Sequence, residues 1–216
     1  MRIIKMYKHL YISAFLLAML SGCAKDSISD PAEYFQYLED SDNGISKIRN
    51  TNGIEIKAKY MPSEYLCYQD MKLNKEKMSI KDSIMEYYKY NAAFLVTVGP
   101  EEDIEAFSVT KYGIQDMNEF NERANLLNFH MSQYFTLDVN GQTLEPIFCE
   151  MENVYELSYN RKFNVVFAPT NKKDQIIESS NMTLTFKDEL YNTGTNKFNY
   201  KRADINDIPE IDFWNN

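Results

Sequence analysis

Cys67, Cys149, His130 and the close carboxylates Glu101 to Asp103 and Glu150/Glu152 are the side chains of this sequence best suited to chemistry. A nucleophile activated by a general base would need His130, the only histidine after His9, because such a base must sit within hydrogen-bond reach of its nucleophile. No Gly-x-Ser-x-Gly elbow, His-Glu-x-x-His pair or Gly-rich phosphate loop accompanies it. His130 falls instead at the end of the clearest helical stretch, where terminal carbonyls favour an imidazole. Carboxylate pairs can hydrolyse glycosidic bonds, but a chain with 32 acidic residues brings carboxylates together often. Cys67 and Cys149 leave two outcomes open, a disulfide in an oxidising compartment or two buried thiols. There is no Cys-x-x-Cys pair, so no metal and no cofactor is expected. The acidic stretch Glu39 to Gly44, "EDSDNG", also fails as a calcium loop. With Gly44 in sixth place the third position is Ser41, and Asn50 stands in the twelfth, where a bidentate carboxylate belongs. It reads as a solvent-exposed turn, and no catalytic residue is assigned.

One thiol remains, and its surroundings differ. Arg2, Lys5 and Lys8 give a basic start, and Leu10 to Gly22 is uncharged and mostly apolar. That run is shorter than the roughly 20 apolar residues of a spanning helix and matches a secretory signal peptide. Leu20-Ser21-Gly22-Cys23 resembles the lipobox of bacterial lipoproteins. The resemblance implies that Leu20, Ser21 and Gly22 are recognised by the lipoprotein signal peptidase. Cys23 then takes a diacylglycerol and becomes the new N-terminus. Two or three acyl chains hold a protein at a membrane where one does so only marginally. The expected organisation is a signal peptide over 1–22, a lipidated tether over 23–30 and a single globular domain over 31–216.

Cleavage before Cys23 leaves 194 of the 216 residues and takes the net charge from −9 to −12, since Arg2, Lys5 and Lys8 are lost. So acidic a chain, with no basic run, is a poor binder of nucleic acid and of anionic lipid surfaces. The membrane contact is thus expected through the acyl chains alone. Tyrosine and phenylalanine are abundant beside a single Trp214. They could stack on sugars, but core filling with the Tyr hydroxyls at the rim is the commoner use.

These residues need a scaffold. Asp30-Pro31-Ala32-Glu33 has the order of a helix start, with Tyr34, Phe35 and Leu38 on its apolar side. Ile54, Ile56, Ala58 and Tyr60 alternate with Glu55, Lys57 and Lys59, a strand with one buried face that Pro62 ends. Ser63 to Tyr68 follows as a short helix or extended segment. Ser79 and Asp82 suggest a cap for a helix with Ile80, Ile84, Tyr87 and Tyr88 inward. Ala92 to Val98 is apolar on both faces and reads as a central strand. A helix is expected from about Ile114 to Asn128, with Met117, Phe120, Ala124 and Leu127 inward and Glu119 paired with Arg123. Asn140-Gly141 marks a hairpin in which Leu137 faces Leu144, and Pro146 puts its second strand at an edge or gives it a bulge. Lys162 to Pro169, Met182 to Phe186 and Lys197 to Tyr200 supply further strands. The βαβ alternation of a parallel fold is missing. The expected class is α+β, mainly antiparallel sheet with two or three packed helices.

Tyr37 to Leu66 is similar to the start of uncharacterised outer-membrane lipoproteins of Bacteroidota, in which an Asn-Gly turn likewise precedes a strand, a Pro and a Tyr-Leu pair. The resemblance implies a location and no site. Ala24 follows the cysteine, so the Asp that retains some lipoproteins at the inner membrane is absent; Lys25-Asp26 partly resembles a surface-export signal. The expectation is a lipid-anchored protein of the outer membrane, on its periplasmic or surface face. Its role would be non-catalytic binding, scaffolding or accessory work beside an envelope protein partner. The alternative is a carboxylate-dependent hydrolase acting on envelope polymers.

Overall fold

Two Asn-Gly turns set the strand pairing. In the computed structural model, which describes residues 26–75, 78–102, 107–152 and 158–214, Asn52 and Gly53 have φ of 56° and 77°, and Asn140 and Gly141 have 53° and 80°. Positive φ at both central residues belongs to the turn whose twist matches a hairpin. The first turn joins β2 (Ser46–Thr51) to β3 (Ile54–Met61), and the second joins β5 (Phe135–Val139) to β6 (Gln142–Leu144) with Leu137 opposite Leu144.

β2 and β3 belong to a five-stranded antiparallel sheet in the order β2-β3-β4-β8-β7, where β4 is Ala92–Pro100, β7 Phe148–Met151 and β8 Arg161–Phe167. β5 and β6 belong to a four-stranded antiparallel sheet, β10-β9-β5-β6, with β9 Asn181–Asp188 and β10 Gly194–Lys201. The inner faces meet in one core. Ile54, Ile56, Ala58, Phe94, Val96, Phe163 and Val165 come from the first sheet, and Leu137, Val139, Leu184, Phe186 and Phe198 from the second. Tyr200 rivets the two. Its ring lies 5.1 Å from that of Phe94, and its hydroxyl donates to the Ala58 carbonyl at 2.8 Å. The fold is α+β and dominated by antiparallel sheet, with five α-helices among the described residues.

α1 (Pro31–Glu39) starts as its sequence suggests, the Asp30 side chain accepting from Ala32 N–H at 2.8 Å. α2 (Ser63–Asn74) is a 12-residue helix rather than a short segment. α3 (Lys81–Lys89) follows without a side-chain cap: Ile80 occupies the cap position, and neither Ser79 nor Asp82 fills that role. Tyr87 points to solvent instead of inward. α4 (Met117–Phe129) begins after Asp116, whose side chain accepts from Asn118 and Glu119 N–H. Its inward face is narrower than the spacing suggests. Only Leu127 is buried, and Met117 is exposed. Glu119 accepts from Gln115 N–H, and Arg123 donates to the carbonyls of Val109 and Tyr112, so the helix is fastened by its polar residues to the preceding loop.

Three further departures follow, two of them pairings with distant chain. Ser27–Ile28, inside the expected tether, forms β1 and pairs in parallel with β11 (Glu210–Ile211). The strand expected over 142–148 divides at Pro146: β6 is an edge of one sheet, and β7 pairs with β8 in the other. Arg202–Asn206, with no expected element, is the short helix α5. "EDSDNG" is a 3-10 turn in which Asp42 N–H donates to Asp40, and Gly44 ends it at φ 76°. The signal peptide, Leu20 to Cys23 and Ala24 and Lys25 lie outside the described residues. Among the described residues no helix is long and apolar enough to cross a membrane.

Candidate functional site

Alternate residues of a strand face the same side, so the register fixes which side chains share the outer face of the five-stranded sheet. Glu55 lies beside Gly99. The next row is Lys57, Thr97 and Lys162, and Glu152 N–H donates to the Lys162 carbonyl at its end. Lys59, Leu95, Asn164 and Glu150 form the third row, and Met61, Ala93, Val166 and Phe148 the fourth. Polarity therefore falls steadily along the strands, from charge to hydrocarbon over about 14 Å between the second and fourth rows.

Two helices partly roof this face. From α1, Phe35 and Glu39 reach over the charged rows, and from α2, Tyr65, Leu66 and Gln69 stand over the middle. The partly open cleft has a volume of about 450 Å³ and a charged floor. A second cleft, also about 450 Å³, adjoins it, and Met61, Leu66 and Asn164 line both. That second cleft lies between α2, α3 and the sheet, and Ala93, Val166, Ile147 and Phe148 line it. Each is in the size range of small-ligand sites.

The charged end is built around Lys59, which is 2% exposed. A buried ammonium needs a partner and hydrogen bonds. Glu39 supplies both, one carboxylate oxygen to Lys59 and the other to Lys57. The Phe35 ring lies 4.5 Å from the Lys59 ammonium and closes the pair from above. Burial alone would raise the pKa of the Glu39 carboxyl, but the bonds from Lys57 and Lys59 outweigh it and hold it below the ordinary value. Lys162, Glu55 and Glu152 have no side-chain partner among the described residues. At the rim, Gly99 leaves room for the side chain of Asn160, which a Cβ there would push aside.

Of the residues singled out from sequence, Glu152 is in this cleft, and Glu150 lies exposed beside it. His130 caps the C-terminus of α4, its N–H donating to the Leu126 carbonyl, and is exposed outside the cleft. Glu101 donates its N–H to the Gly53 carbonyl, and Asp103 lies outside the described residues. Cys67 and Cys149 are free thiols. Cys67 sits on α2 against Met71 and the Lys81 carbonyl, and Cys149 sits on β7 opposite Val165. Burial raises the pKa of both, that of Cys149 to about 12. Trp214 packs on Tyr68 and under the Lys81 ammonium, at 3.6 Å from its ring, as part of an aromatic cluster with Phe213. No group of three or more His, Cys, Asp or Glu among the described residues could hold a metal ion. Sequence reasoning missed Lys57, Lys59, Lys162, Asn160 and Asn164. One signal pointed to them: β4 is apolar on both faces, which is unusual for a strand whose outer side meets only water.

No protein-family model matches the sequence, and no curated protein does. Two solved structures are similar. One is a DUF4426 family protein from Pseudomonas aeruginosa, at 11% identity and TM-score 0.33, over 72% of this chain and 91% of that one. The other is a novel protein of unknown function from Burkholderia pseudomallei, at 9% identity and TM-score 0.36, over 82% of this chain and 88% of that one.

Proposed function

We propose that the chain is a lipid-anchored protein of the bacterial cell envelope, held at the outer membrane through Cys23, that binds a ligand or partner and does not hydrolyse it. The observation that carries the anchor is Leu20-Ser21-Gly22-Cys23 directly after a short uncharged run. The fold gives this a geometric corollary. Only three residues separate Cys23 from β1, so the sheet pairing begins at most about 14 Å along the chain from the lipid. A domain so tethered works on what lies at the membrane surface.

The cleft supports binding over hydrolysis. Glu39 is committed to two lysines, and its lowered pKa makes it a poor proton donor. Glu55 on β3 and Glu152 just past β7 are three strand spacings apart and two residues out of register, so their backbones are about 16 Å apart, with Thr97 and Lys162 between. Reaching the roughly 5 to 9.5 Å of paired hydrolytic carboxyls would take both side chains extended towards each other across Lys162.

The test joins labelling with capture. Labelled fatty acid should enter the wild-type chain and not Cys23→Ser. Protease added to intact cells assigns the face, since a surface protein is shaved and a periplasmic one survives until the outer membrane is opened. Crosslinking the acylated chain to its membrane neighbours should recover a stoichiometric ligand or partner. Label in the Cys23→Ser chain would remove the anchor, and turnover of an envelope polymer by the purified chain would remove the binding role.

A further inference from the structure

We propose that the two adjoining clefts together form one site for an amphiphile, with a head bearing both signs of charge at the Lys57–Thr97–Lys162 row and an acyl chain in the apolar end. This rests on the binding role above and not on the anchor. The two clefts adjoin along Met61, Leu66 and Asn164, on a face whose polarity falls from the Lys57–Thr97–Lys162 row towards the Met61–Ala93–Val166 row. A wholly polar ligand would leave the hydrocarbon end filled with water, and a wholly apolar one would strip water from Lys162, Glu55 and Glu152 without replacing it, at a cost of kilocalories per group.

Charge narrows the head. Glu39 is shared by Lys57 and Lys59, and among the described residues the lining keeps unpaired groups of both signs, Lys162 against Glu55 and Glu152. An anionic head would reach Lys162 only between two carboxylates, and a cationic head would meet Lys57 and Lys162. A phosphate joined to an ammonium offers each group its opposite. Phosphatidylethanolamine has that chemistry, and its acyl chain has the length to pass from the second row to the fourth. At the apolar end, Ile147 is 64% exposed and borders the mouth, so hydrocarbon already faces solvent where a chain would enter.

The test is photocrosslinking with internal controls. The full lipidated chain is reconstituted in phosphatidylethanolamine vesicles doped with phosphatidylethanolamine carrying a diazirine in one acyl chain, irradiated and digested, and the adducts are mapped by mass spectrometry. Adducts should concentrate on the peptides holding Ala93, Ile147–Phe148 and Val166. Leu73 and Phe129, 82% and 76% exposed but outside both clefts, are the comparison. The expected excess over those peptides is about tenfold, which corresponds to roughly 1.4 kcal/mol of preference. Ala93→Trp, which fills the apolar end, should bring it to the control level. Phe148→Asp, at a half-exposed position, serves the same purpose should the larger residue unfold the sheet. Lys162→Glu, or a phosphatidylglycerol probe with its purely anionic head, should lower cleft labelling severalfold. Equal labelling of the Leu73 and Phe129 peptides would mean ordinary bilayer contact and overturn the proposal, as would an unlabelled cleft. An acylated Cys23 with an unlabelled cleft defeats the amphiphile alone; a labelled cleft without acyl groups on Cys23 defeats the anchor alone.

Discussion

Lys59 shows how one side chain can be costly to isolate and cheap to replace. Buried charges are tolerated when paired, and removing one partner leaves the other stranded. Glu39→Gln should therefore destabilise the protein by about 2 kcal/mol, less than a fully buried pair because Glu39 is about one-third exposed. Lys59→Met, which keeps the volume and removes the charge, should change the urea midpoint little. The same pair carries a pH dependence. The Glu39 pKa is lowered in the folded state, so its contribution is present above the unfolded value of 4.5 and is lost as pH falls through the folded one. Acid titration should cost the wild type stability below pH 4.5 that Glu39→Gln no longer has to lose. The thiols behave in the opposite sense. Burial keeps Cys67 and Cys149 protonated near neutrality, and the thiol form does not alkylate. The native protein at pH 8 should resist iodoacetamide at both positions, and the unfolded, non-reduced chain should take label at both. A single label or none after unfolding would contradict two free thiols.

At the scale of elements, Gly99 on β4 and Asn160 before β8 form a pair whose test is a rescue. Gly99→Ala drives a Cβ into the Asn160 side-chain amide, which must swing aside, and should cost about 1 kcal/mol, the low end of overpacking. Asn160→Ala in the same chain should return most of it, a coupling that a double-mutant cycle measures. Elements like these differ in how far the sequence announced them. The Asn140-Gly141 hairpin was readable because positive φ is a local property of two residues. The start of α1 was readable because Asp30 and Pro31 act within one turn. β7 was not, because its partner β8 is chosen by packing and Pro146 only shows that β6 stops. α4 was placed a few residues early, and its inward face was overestimated, because capping by Asp116 and the reach of Arg123 hold it where apolar spacing suggested a buried stripe. The cleft was the least readable part. Alternation marked Lys57 and Lys59 as the wet side of β3, and nothing nearby says that Glu39, 18 and 20 residues earlier, folds back over them.

At the scale of the molecule, aromatic contacts such as that of Tyr200 with Phe94 add to the aliphatic core between the two sheets. Tyr200→Phe keeps the ring against Phe94 and removes the hydrogen bond to the Ala58 carbonyl, so it should cost about 1 kcal/mol in equilibrium unfolding. Tyr200→Ala also opens a cavity between the sheets and should cost several times that. A different property follows from β1, which joins residues 27–28 to residues 210–211 through only a few backbone bonds, Glu210 N–H to the Asp26 carbonyl and Asp212 N–H to the Ile28 carbonyl, each 2.9 Å. On the proposed anchor, any tension between membrane and bound partner enters the domain at Asp26. This short ladder meets the load before either sheet does. If it yields, residues 26–30 pay out as slack of about 17 Å while α1 and the cleft stay assembled. The pairing would then work as a mechanical fuse: a compact, membrane-hugging posture at rest and a longer leash under pull.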